Sequence, residues 1–383
     1  RKQLGAVDAG KPFAMLQQAG IETQTMNANV RARQRAVRTA QIAAQAGHVG
    51  EALRALEGST VEAPGRGAET AAIAWLSLSP AERGITAIYA SGRRLRDDIN
   101  SAIQTGLLAN GELGPGKMTV DTLARVNTTQ EELRHATTYA PGQVLEVRRT
   151  MRKPGLGKGR WGVVDVDARS GQVILRSEQG QEKAFYPDRL RPGGTEDALR
   201  LSEIKRLDLH EGDRIRWTEN DPARALFNAD RARIVSIRNG AVTVETSSGD
   251  SVTLNKNDRM LQRLDLAYAL NAHMAQGLTS DRGIAVMDSR ERNLSNKQTF
   301  LVTITRLRDH LTLIVDNSDR IERAIMSNEG SKTSALEVTE RLKTAAAEGL
   351  GKGAAREGLA KSGDTGEIKQ PERAKVRTKG MTL

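Results

Sequence analysis

Thr305 and Arg306 stand between an apolar helical run that starts at Phe300 and a strand-like run, His310 to Val315. A guanidinium there is planar, permanently charged and able to bond two phosphate oxygens at once. That chemistry suits an anion on which charge develops, as in phosphoryl transfer. An arginine that only completes the C-terminus of a helix is the plainer use of the same residue. A second group lies in LAYALNAHMAQG, residues 266–277. If this segment is helical, His273 and Gln276 sit one turn apart on one face, and Gly277 lets the backbone turn closely against a strand or a phosphate. A capped core helix with a solvent-facing histidine is the alternative. Three other patterns are set aside. Gly155 to Arg160 lacks the spacing and the Lys-Ser/Thr pair of a phosphate loop and leads into a strand, so it reads as a basic β-turn. The acids Asp97-Asp98, Glu131-Glu132 and Asp165/Asp167 read as solvent-facing. Trp161 and Trp217 read as barrel core rather than platforms for bases.

The elements that must position these residues form an α/β pattern broken in the middle. A short helical pattern at Pro12 to Gln18 ends the opening segment, and Arg31 to Leu56 reads as two consecutive helices interrupted by Gly47 and Gly50. Another apolar stretch runs from Ala71 to Leu78. Strand-like GITAIYA at 84–90 is followed by a basic helix carrying Arg93, Arg94, Asn100 and Ile103. Composition shifts near Tyr139 to Gly142. Short alternating strands then follow at Val144–Val147, Trp161–Val166, Gln172–Leu175, Arg214–Trp217, Ala232–Ile237, Ala241–Thr246 and Ser251–Leu254, with a short helical pattern between Thr195 and Leu209. Helix and strand patterning resumes with a helix at 264–277, a buried strand at Gly283–Met287, a helix at Lys297–Arg306 and a strand at His310–Val315. From Ala324 onward too little apolar content remains to bury a core, which predicts a partly helical, partly disordered basic tail.

Composition narrows the partner. The 383 residues hold 58 Lys+Arg against 47 Asp+Glu, a formal charge of +11, which favours a polyanion. Aromatic residues are only 3%, so phosphate contact rather than base stacking must dominate any nucleic-acid binding. No cysteine is present and the five histidines show no paired ligand spacing, so neither a disulfide framework nor a structural metal is expected. No apolar run approaches a membrane span and Arg1 to Gly10 lacks a secretory apolar segment, which predicts a cytoplasmic protein with no membrane insertion. An opening arginine running straight into a compact pattern reads as a fragment of a longer chain.

Several segments together carry a family resemblance. Lys2 to Val7, KQLGAV, resembles the end of the superfamily 1 helicase motif whose glutamine senses the nucleotide phosphate. LAYALNAHMAQG is similar to the RecD-like pattern that contacts single-stranded DNA, with Asn271 where relatives carry threonine. FLVTITRLRDHLTLIV, residues 300–315, is similar to the Thr-Arg motif whose arginine acts as a finger. Arg33-Gln34, or Arg31, resembles the Arg-Gln element that supplies a nucleotide-contacting arginine. SGRRLRDDIN, residues 91–100, resembles the segment beside the DNA track, although a solvated basic helix fits it equally. Glu211 to Ile215 with Asn220-Asp221 and Asn228 resembles the small DNA-guiding barrel of RecD-like helicases, with Ala229 where a glycine is expected. In this order, the motifs resemble the C-terminal part of the helicase region of TraI/TrwC (MobF-type) conjugative relaxase-helicases, over about residues 1–325.

The resemblance implies an α/β fold: a RecA-like second motor domain at 1–140 and 263–325, interrupted by an all-β insertion of small barrels at 141–262 and followed by a tail at 326–383. It implies catalytic roles for Arg306 and Gln3, nucleotide contacts from Arg33, Gln276 and Gly277, and DNA contacts from His273, Asn271, Arg94 and Asn100. ATP and Mg2+ would bind only in the intact protein, against a first motor domain of the same polypeptide. No Walker lysine or magnesium-binding acidic motif appears, so no ATP turnover is expected of this chain alone. Single-stranded DNA and a type IV secretion coupling protein are the implied partners, with export to a recipient cell during conjugation. The competing reading is a vestigial helicase-like module that binds single-stranded DNA or serves as a secretion signal.

Overall fold

The computed structural model describes residues 20–21, 32–152, 154–191, 198–272, 274, 279–291, 294–328 and 330. Gly20 and Ile21 fall in a unit separate from the rest, and everything below concerns residues within Thr25–Gly330. Among the described residues the elements run α1 (Arg35–Ala46) and α2 (Val49–Ala55), then β1 (Thr60–Glu62), α3 (Gly67–Leu76), α4 (Pro80–Ile85), β2 (Thr86–Ala90) and α5 (Arg93–Ala109). Eleven strands follow: β3 (Lys117–Arg125), β4 (Val144–Val147), β5 (Gly159–Asp167), β6 (Gln172–Ser177), β7 (Glu182–Phe185), β8 (Leu199–His210), β9 (Arg214–Trp217), β10 (Arg231–Arg238), β11 (Ala241–Thr246), β12 (Ser251–Asn255) and β13 (Leu264–Leu266). The α/β pattern resumes with β14 (Ala269–Asn271), β15 (Ser280–Met287), α6 (Lys297–Thr305), β16 (Leu307–Val315) and α7 (Ser318–Ser327).

Local signals explain the helix limits. α1 stops at Gly47, whose φ of +91° makes the left-handed C-cap that an L residue resists. α4 starts on a capping box in which Ser79 and Glu82 satisfy each other's backbone donors, with Pro80 in the first turn. Asn296 and Asn317 cap α6 and α7 by accepting from Thr299 N (2.8 Å) and Arg320 N (3.0 Å).

Five strands in the order β1-β16-β15-β2-β14 form one sheet, parallel throughout. Its inner strands are apolar on both faces over their carboxyl halves because helices cover both. Ile88, Ala90, Ile284, Val286 and Ile314 face a core shared with α3 and α5. Tyr89, Ala285, Met287, Leu313 and Val315 face the core of α1, α2, α6 and α7. Between β2 and β14 in sequence lie two antiparallel sheets, six-stranded β3-β8-β4-β5-β6-β7 and five-stranded β12-β11-β10-β9-β13. The five-stranded sheet shares the α3/α5 core, where Trp75 meets Tyr268 edge-on at 5.8 Å. Glu219, just beyond β9, ties the two antiparallel sheets together through Arg148 (2.9 Å), Arg200 (3.3 Å) and Arg263 (2.9 Å).

Most of the expected elements hold, and the strands Val144–Val147, Arg214–Trp217 and Ala241–Thr246 match to the residue. Three do not. The segment 264–277, expected as a helix, opens as β13 and β14, two three-residue strands in different sheets. The helical pattern within Thr195–Leu209 is instead the twelve-residue β8, which pairs with β4 over its first part and with β3 over its second. Strands also begin at Lys117, ahead of the composition shift near Tyr139. Of the two tryptophans, Trp217 is core, whereas Trp161 is half-buried and donates to Gly157 O. Ala229 adopts φ +74°, so the turn expected to need glycine keeps its left-handed backbone on an L residue. No helix among the described residues is long and apolar enough to cross a membrane.

Candidate functional site

In a doubly covered parallel sheet, ligands gather where strands end and their connections diverge to opposite faces. Here β2 continues into α5 on one face, and β15 continues into α6 on the other, so the gap between the carboxyl ends of β2 and β15 is such a point. A cavity of about 450 Å³ opens at this edge, bounded by Gly65 and Gly67 ahead of and at the start of α3, Arg94 and Asp98 on α5, and Asp288 and Glu291 after β15. Gly92, just beyond β2, lies against this loop, and a Cβ there would displace the Glu291 carboxylate. Ser91 donates to that carboxylate. Burial, reinforced by Asp288 and Asp98, pushes the Glu291 carboxyl above the usual range.

Arg94 is exposed on the first turn of α5 and lines this cavity. Arg93, beside it, donates to Arg125 O at 2.7 Å. Asn100 does not face the cavity. It is buried, its Nδ2 donates to Leu266 O (3.2 Å), and its Oδ1 accepts from Ala269 N (2.8 Å). Asn271 is also buried at the carboxyl end of β14. Its Nδ2 donates to Ala90 O and its Oδ1 accepts from Arg96, both at 3.2 Å. Of the four residues expected at DNA, the structure therefore brings Arg94 to an open edge and turns Asn100 and Asn271 inward. His273 lies outside the described residues.

The opposite edge carries the other set. Arg33 is exposed and pairs with Asp281 (2.8 Å) and Asp309 (2.7 Å), while its backbone N–H donates to Arg308 O. Arg308 pairs with the same Asp281 at 3.4 Å. Arg306 caps the C-terminus of α6, is buried, and donates from Nε to Val302 O at 3.4 Å. Its carbonyl accepts from Ser280 N at 3.0 Å, and the Ser280 hydroxyl lies 3.5 Å from the Tyr89 hydroxyl. Burial pushes the Tyr89 phenol up, against the pull of Ser280, Arg231 and Arg306. Gln3, Gln276 and Gly277 lie outside the described residues, as does Arg31.

One polar group was missed in the sequence. Asp213, fully buried, accepts from Tyr268 Oη (2.6 Å), Gln104 Nε2 (2.7 Å) and His210 N (2.7 Å), and burial holds its carboxyl above the usual range. Its Gly-Asp-Arg setting reads as part of a barrel turn, and only the partner Gln104 reveals that the turn is anchored to α5.

Residues 122–209, within the six-stranded sheet at 117–210, match the model of the DNA relaxase TraI 2B/2B-like domain, and residues 1–61 match an AAA domain. Two curated Escherichia coli proteins, each a multifunctional conjugation protein TraI, are 24% identical over 265 residues and, in strain K12, 26% identical over 270. Each match covers 64% of this chain, which spans only 14% of the relative. Among solved structures, Bacteroides Pif1 helicase with ADP-AlF3 and ssDNA has a TM-score of 0.40 at 12% identity, covering 90% of this chain and 65% of that one. Bacteroides Pif1 bound to ssDNA has a TM-score of 0.38 at 12% identity, covering 85% and 56%. These scores are too low to argue a common fold. The chain is thus similar to the TraI proteins over about two thirds of its length, and the TraI 2B/2B-like domain match lies in the strand-rich middle of the chain.

Proposed function

We propose that this chain is the second half of a conjugative DNA helicase motor, holding single-stranded DNA at the carboxyl edge of its parallel sheet and facing nucleotide at the amino edge. The observation that supports this reading is the route of the chain between the edges. It leaves β14 at Asn271 on the carboxyl edge and re-enters the sheet at Ser280 on the amino edge, where Ser280 N bonds the Arg306 carbonyl. Residues 272–279 thus connect the DNA side to the arginine. The roles of His273, Gln276 and Gly277 in that connection, and of Gln3, belong to the same proposal. So does the division into a motor domain and a β-rich insertion, whose limits move to the strands at 117–266.

On the DNA side, Arg94 offers an exposed guanidinium for phosphate. On the other side, exposed Arg33 fits a phosphate group, and Arg306 is positioned by α6 for charge that develops in phosphoryl transfer. ATP with Mg2+ would supply that phosphoryl group in the intact protein, between this unit and a first motor domain of the same polypeptide. The purified chain should bind a labelled oligothymidylate with an affinity that falls steeply with salt through counterion release. Arg94→Ala should reduce the slope of log affinity against log salt by about one. The chain alone should turn over no ATP. An affinity indifferent to salt, or DNA-stimulated turnover by the chain, sinks the proposal.

One observation favours a second reading, a vestigial module that binds DNA or is recognised by a type IV secretion coupling protein. Asn271 spends both ends of its amide inside the protein, where the family places a hydroxyl on DNA. Arg306→Lys in the intact protein separates the two: a motor loses unwinding, a vestigial module keeps its transfer activity.

A further inference from the structure

α5 carries Arg96, Asn100 and Gln104 at four-residue spacing, so one stripe of the helix presents three polar side chains. Such a stripe normally faces water. Here Arg96 and Asn100 are buried, and all three grip strands on the far side of the chain. Arg96 Nη1 donates to Asn271 Oδ1 in β14 (3.2 Å), and Nη2 donates to Asp265 Oδ2 in β13 (2.7 Å). Arg216 of β9 donates to that same Asp265 oxygen at 3.1 Å. Asp97 accepts from Arg96 Nη2 at 2.6 Å and pairs with Lys205 of β8 at 3.0 Å. One turn on, Asn100 brackets the Leu266–Ala269 corner, and a turn further Gln104 donates to Asp213 at 2.7 Å.

Two features make this more than packing. β13 belongs to the five-stranded sheet and β14 to the parallel sheet, yet only Ala267 and Tyr268 separate them. The guanidinium fork sets a fixed spacing between Asp265 and Asn271, which a single flexible ammonium would not hold. The same helix opens at the carboxyl edge with exposed Arg93 and Arg94.

We infer that α5 is a transmission helix and Arg96 its positioning residue. A polyanion engaging the first turn of α5 moves the helix; Arg96 and Asn100 carry that movement to β13 and β14, Asp265 passes it to Arg216 of β9, and Gln104 carries it to Asp213 at the turn that leads into β9. The five-stranded sheet therefore follows the state of the DNA edge. This rests on the proposed DNA reading.

The test is hydrogen exchange on the full chain with and without oligothymidylate, for wild type and for Asp265→Asn, which keeps shape but removes the charge that Arg96 and Arg216 share. In wild type, DNA should slow exchange at residues 91–96 and also at Arg214–Trp217 and 264–271. In Asp265→Asn the first effect should persist and the second should vanish. Protection of Arg214–Trp217 that is absent in wild type, or retained in the variant, overturns the inference. If the oligonucleotide does not bind wild type at all, the functional reading fails, and the coupling is read without ligand. Asp265→Asn must then speed exchange at Ala269–Asn271, in the other sheet, by roughly tenfold, and unchanged exchange there overturns it. Should Asp265→Asn fail to fold, Arg96→Lys is measured in the same way with the same outcomes.

Discussion

The two edges of the parallel sheet use the same residue types in opposite ways. At the amino edge, Arg33 and Arg308 meet Asp281 and Asp309 in pairs that remain largely exposed. Behind the carboxyl edge, where the five-stranded sheet packs on α5, Arg96 and Arg216 meet Asp265 with side chains only 8%, 10% and 14% exposed. Exposed pairs exchange readily with water and can be traded for a ligand phosphate at small cost, whereas buried pairs have lost their water and must be satisfied by each other. The amino edge is therefore built to be re-paired, and the inner carboxyl edge is built to hold geometry.

Substitutions can break this contrast, and the largest effect is expected where burial is greatest. Arg96→Met removes the shared partner from a buried network, leaving Asp265 to Arg216 alone and Asp97 to Lys205 alone, so urea unfolding should show a loss of about 3–5 kcal/mol; a loss below about 1 kcal/mol would equate the two edges. Asn100→Ala leaves the Ala269 N–H and the Leu266 carbonyl without their side-chain partner, for a loss of about 1–3 kcal/mol by the same measurement. Glu291 lies between the extremes. Because burial raises its folded-state pKa, it stabilises the fold fully below the ordinary glutamate range, and that contribution is lost as pH rises through the raised value. Thermal midpoints followed across pH should fall over this window in wild type and flatten in Glu291→Gln. Arg33→Ala should cost the least, about 0–1 kcal/mol, and the small loss should shrink further in high salt.

The parallel sheet was legible because GIAVM is a continuous apolar run and HLTLIV closes on one, Leu313 to Val315, the mark of strands buried on both faces. β8 was not. Its inward alternation breaks in the middle, at Glu203 to Arg206, just after it exchanges β4 for β3, and Leu201, Ile204 and Leu207 fall at a three-residue spacing that imitates a helix. Residues 264–272 misled for a related reason: nearly every side chain is buried because the segment bridges two sheets, so no period of two survives. Arg94 could be found from charge at a strand end. Asn100 could be placed on α5 but not aimed, since its partners lie 166 and 169 residues away. Polar residues on a helix are ordinarily read as solvated, and nothing local marks the exceptions.

The three-residue strand β14 has a mechanical consequence. A pull along its axis, from the connection that begins at Ala272, loads its ladder bonds to β2 together rather than one after another. Asn100 and Arg96 add side-chain bonds to the same short segment from the helix side. The junction between the sheets is consequently a stiff tension joint, and bending between them has to occur elsewhere in the chain.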